Sequence, residues 1–213
     1  MSLIWDTDEI KAIIEETFLT VSGYLTFNKM RITVVPALPN PFFKEFPQSM
    51  WTNAFTNGTG NIISAIPPQP DIDFFQYLLA HECHHASPEN PIYNLSLNTF
   101  TLEEWYKMEG TAEYFSLSLY KDKRWWKDNL SYEEELRYWN ECKNHFKSVD
   151  DIIKSPLCFG NRKKGIPVFA GYLFGLKLVS NYVSSKQTKN IRELFKVEPA
   201  EYIECYERNF LVN

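Results

Sequence analysis

Two histidines four positions apart, His81 and His85, enclose a glutamate in the run His81-Glu82-Cys83-His84-His85. On an α-helix, residues four apart are separated by ~40° around the axis and one turn along it, so both imidazoles can meet a single metal ion. Glu82 lies ~100° from His81, which leaves its carboxylate beside the ion as a base for water activated there. Cys83 points nearly opposite the pair and is not expected to share their ion. His84 lies ~60° off the ligand stripe, where supporting or solvent contact is expected instead of ligation.

An HExxH pattern also arises by chance on ordinary helices, so its surroundings decide. His81 and His85 fall on one stripe with Phe74, Tyr77 and Leu78 and therefore face inward, where an imidazole pair needs a strong partner. The next helical segment presents Glu109 and Glu113 from a stripe defined by Leu102, Tyr106, Leu117 and Tyr120, with Glu103, Glu104 and Lys107 off that stripe. Inward carboxylates cost free energy unless they are paired or bound to a cation. Two histidines and one of these acids make three ligands and leave a position open for water, the arrangement of catalytic zinc sites, whereas structural sites fill all four.

The elements that must hold these groups follow from capping and periodicity. A first helix is expected over residues 7–19, with Asp6 and Glu9 at N-cap and N3 spacing. Strands are expected over 31–35, ending at Pro36, and over 61–66, after the Asn57-Gly58 turn signal and before Pro67-Pro68. The HExxH helix spans about 71–86, with Asp73 and Gln76 at capping-box spacing, and the Glu109 helix about 101–120, with Thr101 and Glu104 as its box. Further helices are expected from Ser131, boxed with Glu134, from Pro167 to about Ser184, and after Pro199. In the fifth of these helices Gly171 and Gly175 would let a neighbour approach closely. The fold class is α+β: a small N-terminal sheet, an HExxH helix and a mainly helical C-terminal half, in a single domain over residues 1–213.

Composition excludes several roles. With 44% hydrophobic and 16% aromatic residues the chain can build a core. A formal charge of −5 and no concentrated basic stretch argue against nucleic acid. The aromatic and basic segment 121–127 reads as a solvated helix end before it reads as a ligand site. The most apolar stretch, 168–183, contains Lys177, Ser180 and Asn181, so no membrane insertion is expected. The first residues show no secretory signal, which makes the cytoplasm the expected location, and the four unpaired-looking cysteines are expected to be free thiols. Oligomeric state has no signature.

HExxH, then about two dozen residues, then Glu-xxx-Glu resembles the gluzincin metallopeptidases. In that pattern the first acid binds zinc, which implies Glu109 as the third ligand, and the second orients a zinc-bound histidine, which implies that role for Glu113. Glu113 stands where thermolysin-type gluzincins have Asp. The closer resemblance is to the predicted zinc-dependent protease family typified by YjaZ-like bacterial proteins, carried by HExHH (residues 81–85), Glu109-Gly110-Thr111-Ala112-Glu113 and Gly171-Tyr172-Leu173-Phe174-Gly175, over roughly residues 60–185. Other HExxH classes do not fit. Metzincins need Gly and His where Pro88 and Pro91 stand, and peptide deformylases need an upstream cysteine ligand where the first cysteine is Cys83.

The resemblance implies a zincin-like fold and a Zn2+-dependent hydrolase of peptide bonds, in which zinc-bound water is activated by Glu82. Tyr172 is the preferred candidate to stabilise the oxyanion, with His145 second. A peptide or protein substrate is expected, and the strand at 61–66 is a candidate to pair with it. Two other readings stand beside this one: a zinc hydrolase of a non-peptide amide, and a non-catalytic zinc-stabilised binding or regulatory protein, against which Glu82 speaks because stability alone needs no base there.

Overall fold

Asp6 opens the first helix as its spacing requires. In the computed structural model, which describes residues 4–37, 51–96, 98–120, 124, 126, 129–188 and 190–210, the Asp6 carboxylate accepts the Glu9 N–H at 2.9 Å, and α1 (Thr7–Ser22) buries Ile10, Ile13, Thr17 and Val21. The chain divides into two compact units, residues 1–93 with 115–125, and residues 94–114 with 126–213.

In the first unit the strands β1 (Arg31–Pro36), β2 (Asn53–Thr56) and β3 (Asn61–Ile66) form a sheet in the order β1-β3-β2, β1 parallel and β2 antiparallel to β3. The Asn57-Gly58 signal is the turn of the β2–β3 hairpin, closed by Asn57 N–H to Asn61 O at 2.8 Å. β2 was not expected, because four residues are too few for a visible period. Its presence corrects the expectation for 61–66: β3 is paired on both sides and has no free edge to offer a substrate. Ile62, Ser64 and Ile66 alternate into the interior. α2 (Ile72–Ala86) packs against α1, β2 and β3. Its N-cap is Asp71, which accepts the Phe74 N–H at 3.0 Å; Asp73, expected in that role, already lies inside the first turn.

The second unit is helical. α3 (Leu102–Leu119) has residues 102–114 here and 115–119 in the first unit. It starts at the expected box, with Thr101 N–H to Glu104 Oε2 at 2.6 Å and Glu104 N–H to Thr101 Oγ1 at 3.3 Å. α4 (Tyr132–Cys142) shows the Ser131/Glu134 box complete. α5 (Asp151–Phe159), with Pro156 inside it, and the single turn α7 (Ile191–Leu194) were not expected; α6 (Ala170–Lys186) and α8 (Pro199–Phe210) were. The start of α6 is shifted past Pro167 because Phe169, at φ 57, takes a left-handed turn ahead of it.

Phe174 on α6 centres an aromatic core, its ring 5.0 Å from that of Tyr138, 5.2 Å from Tyr206 and 5.3 Å from Tyr106. Glycines let the helices close on it. A Cβ on Gly110 of α3 would lie 2.4 Å from the carbonyl oxygen of Gly175 on α6, and one on Gly171 would meet Cys158 of α5 at 2.6 Å, so the backbones touch where these residues have no side chain. Glu103, expected off the apolar stripe of α3, is instead 7% exposed and ion-paired with Lys147 at 2.5 Å. Among the described residues no helix is long and apolar enough to cross a membrane. The four cysteines are free and buried. Most of the segment 121–127 lies outside the described residues; of its members Arg124 is buried and the Trp126 ring packs 5.1 Å from Phe169.

Candidate metal centre

α2 ends two residues before Pro88, and that proline forces Ser87, between them, out of the helical region, to φ −60 and ψ 131. The last carbonyls of the helix therefore have no helical donors and take others. His84 O accepts from Asn90 Nδ2 at 3.1 Å, His85 O from the Tyr93 hydroxyl at 2.9 Å, and Ala86 O from Gly60 N–H at 2.9 Å. Two separate segments, the loop 90–93 and the turn at Gly60, thus fix the turn that carries the motif.

On that turn every residue from Leu79 to Ser87 is buried, a run that includes His81, Glu82, His84 and His85. The Nε2 atoms of His81 and His85 face each other at 3.0 Å. One ligand atom from each of His81, His85 and Glu109 lies within 4.8 Å of the other two, and all three residues are buried. The donor set fits zinc. Two imidazole nitrogens on one tetrahedral zinc, at about 2.0–2.1 Å each, stand roughly 3.3 Å apart, so the pair has only a few tenths of an ångström to open. A carboxylate oxygen completes a His₂Glu set, and a fourth position is left for solvent or substrate.

A family model described as Predicted Zn-dependent protease (DUF2268) matches residues 10–204. The chain belongs to this family. No curated protein and no solved structure matches it. For a DUF2268 member the convergence of two imidazoles and a carboxylate is a cluster able to hold the metal that the family description names.

The remaining candidates fall in several places. Glu82 is 6% exposed, and its carboxylate Oε2 accepts a hydrogen bond from Thr56 Oγ1 on β2 at 2.8 Å, while its backbone carbonyl lies 2.9 Å from the same hydroxyl. Glu113 is buried one turn after Glu109 on α3. His84 is fully buried, its ring 5.6 Å from that of Phe115, which rules out the solvent contact expected as one alternative. Burial, helped by the charge of Glu82, pushes the Cys83 thiol well up, so it stays protonated. Burial likewise raises the Cys158 thiol, with the charge of Glu109 second. Tyr172 sits edge-on to Trp105 at 5.1 Å and to Phe169 at 5.4 Å, in an aromatic cluster that includes Phe159 and Trp126. His145 lies in the turn after α4, where its N–H binds Cys142 O and its carbonyl accepts from Ser148.

Two residues escaped the sequence reading. Thr56 is one; the Asn57-Gly58 signal, which requires a strand on each side, pointed to it. The other is Tyr93, whose phenol is pushed up to about 12 by burial first and by the charge of Glu82 second, with a hydrogen bond to Thr59 opposing. It keeps its proton and serves as the donor to His85 O. Nothing in the loop sequence around Pro91 marked it.

Proposed function

We propose that this DUF2268 member is a zinc peptidase of zincin-like fold with a gluzincin ligand set, in which His81, His85 and Glu109 hold the metal and Glu82 is the general base. The observation that carries the reading is the convergence of those three ligand atoms, within 4.8 Å, next in sequence to a buried glutamate. Zinc bound there supplies Lewis-acid polarisation of a substrate carbonyl and acidifies water to a pKa of about 7.

The chain's own residues do the rest. Glu82 takes a proton from water as the oxygen attacks the amide carbon, and it passes that proton to the nitrogen as the C–N bond breaks, releasing a carboxylic acid and an amine. In this reading Glu113 accepts from the distal nitrogen of a ligating histidine and so fixes its tautomer. Tyr172 is our candidate donor to the oxyanion, its ring packed on Trp105, one helical turn before Glu109. His145 is the second candidate. An extended peptide would find an edge strand on the side of the sheet nearer α2 in β2, which pairs only with β3 among the described residues.

Glu82→Gln tests the assignment. It should keep zinc and melting temperature and lower turnover on peptides by about 10²- to 10⁴-fold, since it removes only the base. Full turnover in the zinc-loaded variant overturns the mechanism. A zinc-loaded wild type inert on a peptide library but active on small amides would move the substrate class, and inertness on all amides would favour a binding role.

A further inference from the structure

We infer that Thr56 is the positioning residue for Glu82, assigning one carboxylate oxygen to the protein and the other to the reaction; this deepens the reading of Glu82 as a base and rests on it. The hydroxyl oxygen of Thr56 lies 2.8 Å from Glu82 Oε2 and 2.9 Å from Glu82 O, so it bridges the side chain and the backbone of one residue. A hydroxyl has a single proton, and the carboxylate is the stronger of the two acceptors. Oε2 is thereby committed, while Oε1 of Glu82 has no hydrogen bond to any described residue. Oε1 is the oxygen that meets water.

The clamp is effective because Thr56 is itself fixed more firmly than Glu82. A glutamate has three side-chain torsions to settle, whereas threonine, branched at Cβ, has one stiff torsion. Thr56 ends β2 in register with Ile62 of β3, and the turn that follows is closed by Asn57 N–H to Asn61 O at 2.8 Å. That turn is fastened to the end of α2 by the bond from Gly60 N–H to Ala86 O at 2.9 Å. Gly60 has φ +67 and would place a Cβ 2.4 Å from the carbonyl oxygen of Lys29, so only glycine gives the turn this path. The hairpin is therefore tied to α2 at two points, one at the base and one a helical turn later. Each point holds the other in place, and the carboxylate inherits the precision of the sheet.

The test is a cycle on the zinc-loaded full chain with a peptide substrate from the library. Thr56→Val, which keeps shape and removes the hydroxyl, should lower kcat about 10- to 100-fold with KM and zinc affinity changed less than about 2-fold, and Thr56→Ser should restore kcat to within about 3-fold. In the Glu82→Gln background Thr56→Val should have no further effect on the residual rate, whereas a merely structural role would cost the same in both backgrounds. Wild-type kcat in Thr56→Val, or equal losses in both backgrounds, overturns the proposal. A second readout needs neither activity nor a variant: in carboxyl-labelled wild type, NMR should show a slowly exchanging Thr56 hydroxyl proton coupled to the Glu82 carboxyl carbon. Its absence overturns the assignment of Thr56 even if the protein folds poorly with valine. Its presence in a chain that cleaves no peptide keeps the clamp and sinks the peptidase reading alone.

Discussion

Two buried polar clusters in this chain are built on opposite plans. In the helical unit, Tyr138 donates to Leu157 O at 2.7 Å, which makes Tyr106 the donor in the 2.6 Å contact between the two phenols. Beside them Glu135 accepts from Tyr206 at 2.6 Å and from Lys177 at 3.2 Å. Donors there meet acceptors, and burial raises both Tyr106 and Tyr138 so far that the phenols stay neutral. In the other cluster, one possible ligand atom from each of His81, His85 and Glu109 lies within 4.8 Å of the other two. The first plan ties α3, α4, α5, α6 and α8 to one another. The second gathers groups that can all bind one cation, and a cation joining them would stabilise the cluster further. A buried polar group is informative through what its neighbours offer, and not through burial itself.

The comparison predicts different losses in the two places. Glu109→Ala should abolish stable zinc binding, read as metal content after gel filtration, because two histidines alone make a poor site. Native affinity in that variant, with loss in Glu113→Ala, would move the third ligand one turn along α3. Glu113→Ala is expected to weaken zinc affinity or activity by about 10- to 100-fold while the ion stays bound. In the closed cluster the pattern should invert. Glu135→Ala strips the buried Tyr206 hydroxyl of its acceptor and should destabilise the fold by about 1–3 kcal/mol, seen in denaturant midpoints, with zinc affinity unchanged. Most of that loss belongs to Tyr206, since the Lys177 side chain is 49% exposed and its ion pair is worth little. If Glu135→Ala also lost zinc, the two clusters would not be independent and the contrast would fail.

The candidate metal cluster was legible because its parts are local. His81, Glu82 and His85 declare their relation through a spacing that any helix converts into geometry, and Glu109 lies on a helix whose capping box and apolar stripe are equally plain. The helix starts at Asp6, Thr101 and Ser131 were readable for the same reason. Thr56 was not, since it reaches Glu82 across 26 positions, from a strand of four residues. Tyr93 was hidden because its part is played with a backbone carbonyl, which has no residue type to recognise. Asp73 was mistaken for a cap because two acids two positions apart both fit the pattern, and only the backbone turn at Asp71 chooses between them. The candidacy of 61–66 as a strand that pairs with substrate failed with the missing β2, for strand order is a property of the sheet and leaves no trace within a strand.

The bare contact between Gly110 and Gly175 bears on any attempt to transplant this site. A designer who copies His81, His85 and Glu109 onto another scaffold carries over the donor atoms and leaves behind the place where two main chains lie against each other, so close that a Cβ on Gly110 would meet the carbonyl oxygen of Gly175 at 2.4 Å and one on Gly175 would meet that of Tyr106 at 2.9 Å. With alanine at either position α3 and α6 would have to draw apart, and the residue displaced first would be Glu109, the immediate neighbour of Gly110. The smallest unit that can be moved is therefore five residues and not three: two of them contribute no donor atom, and their cargo is the absence of a side chain.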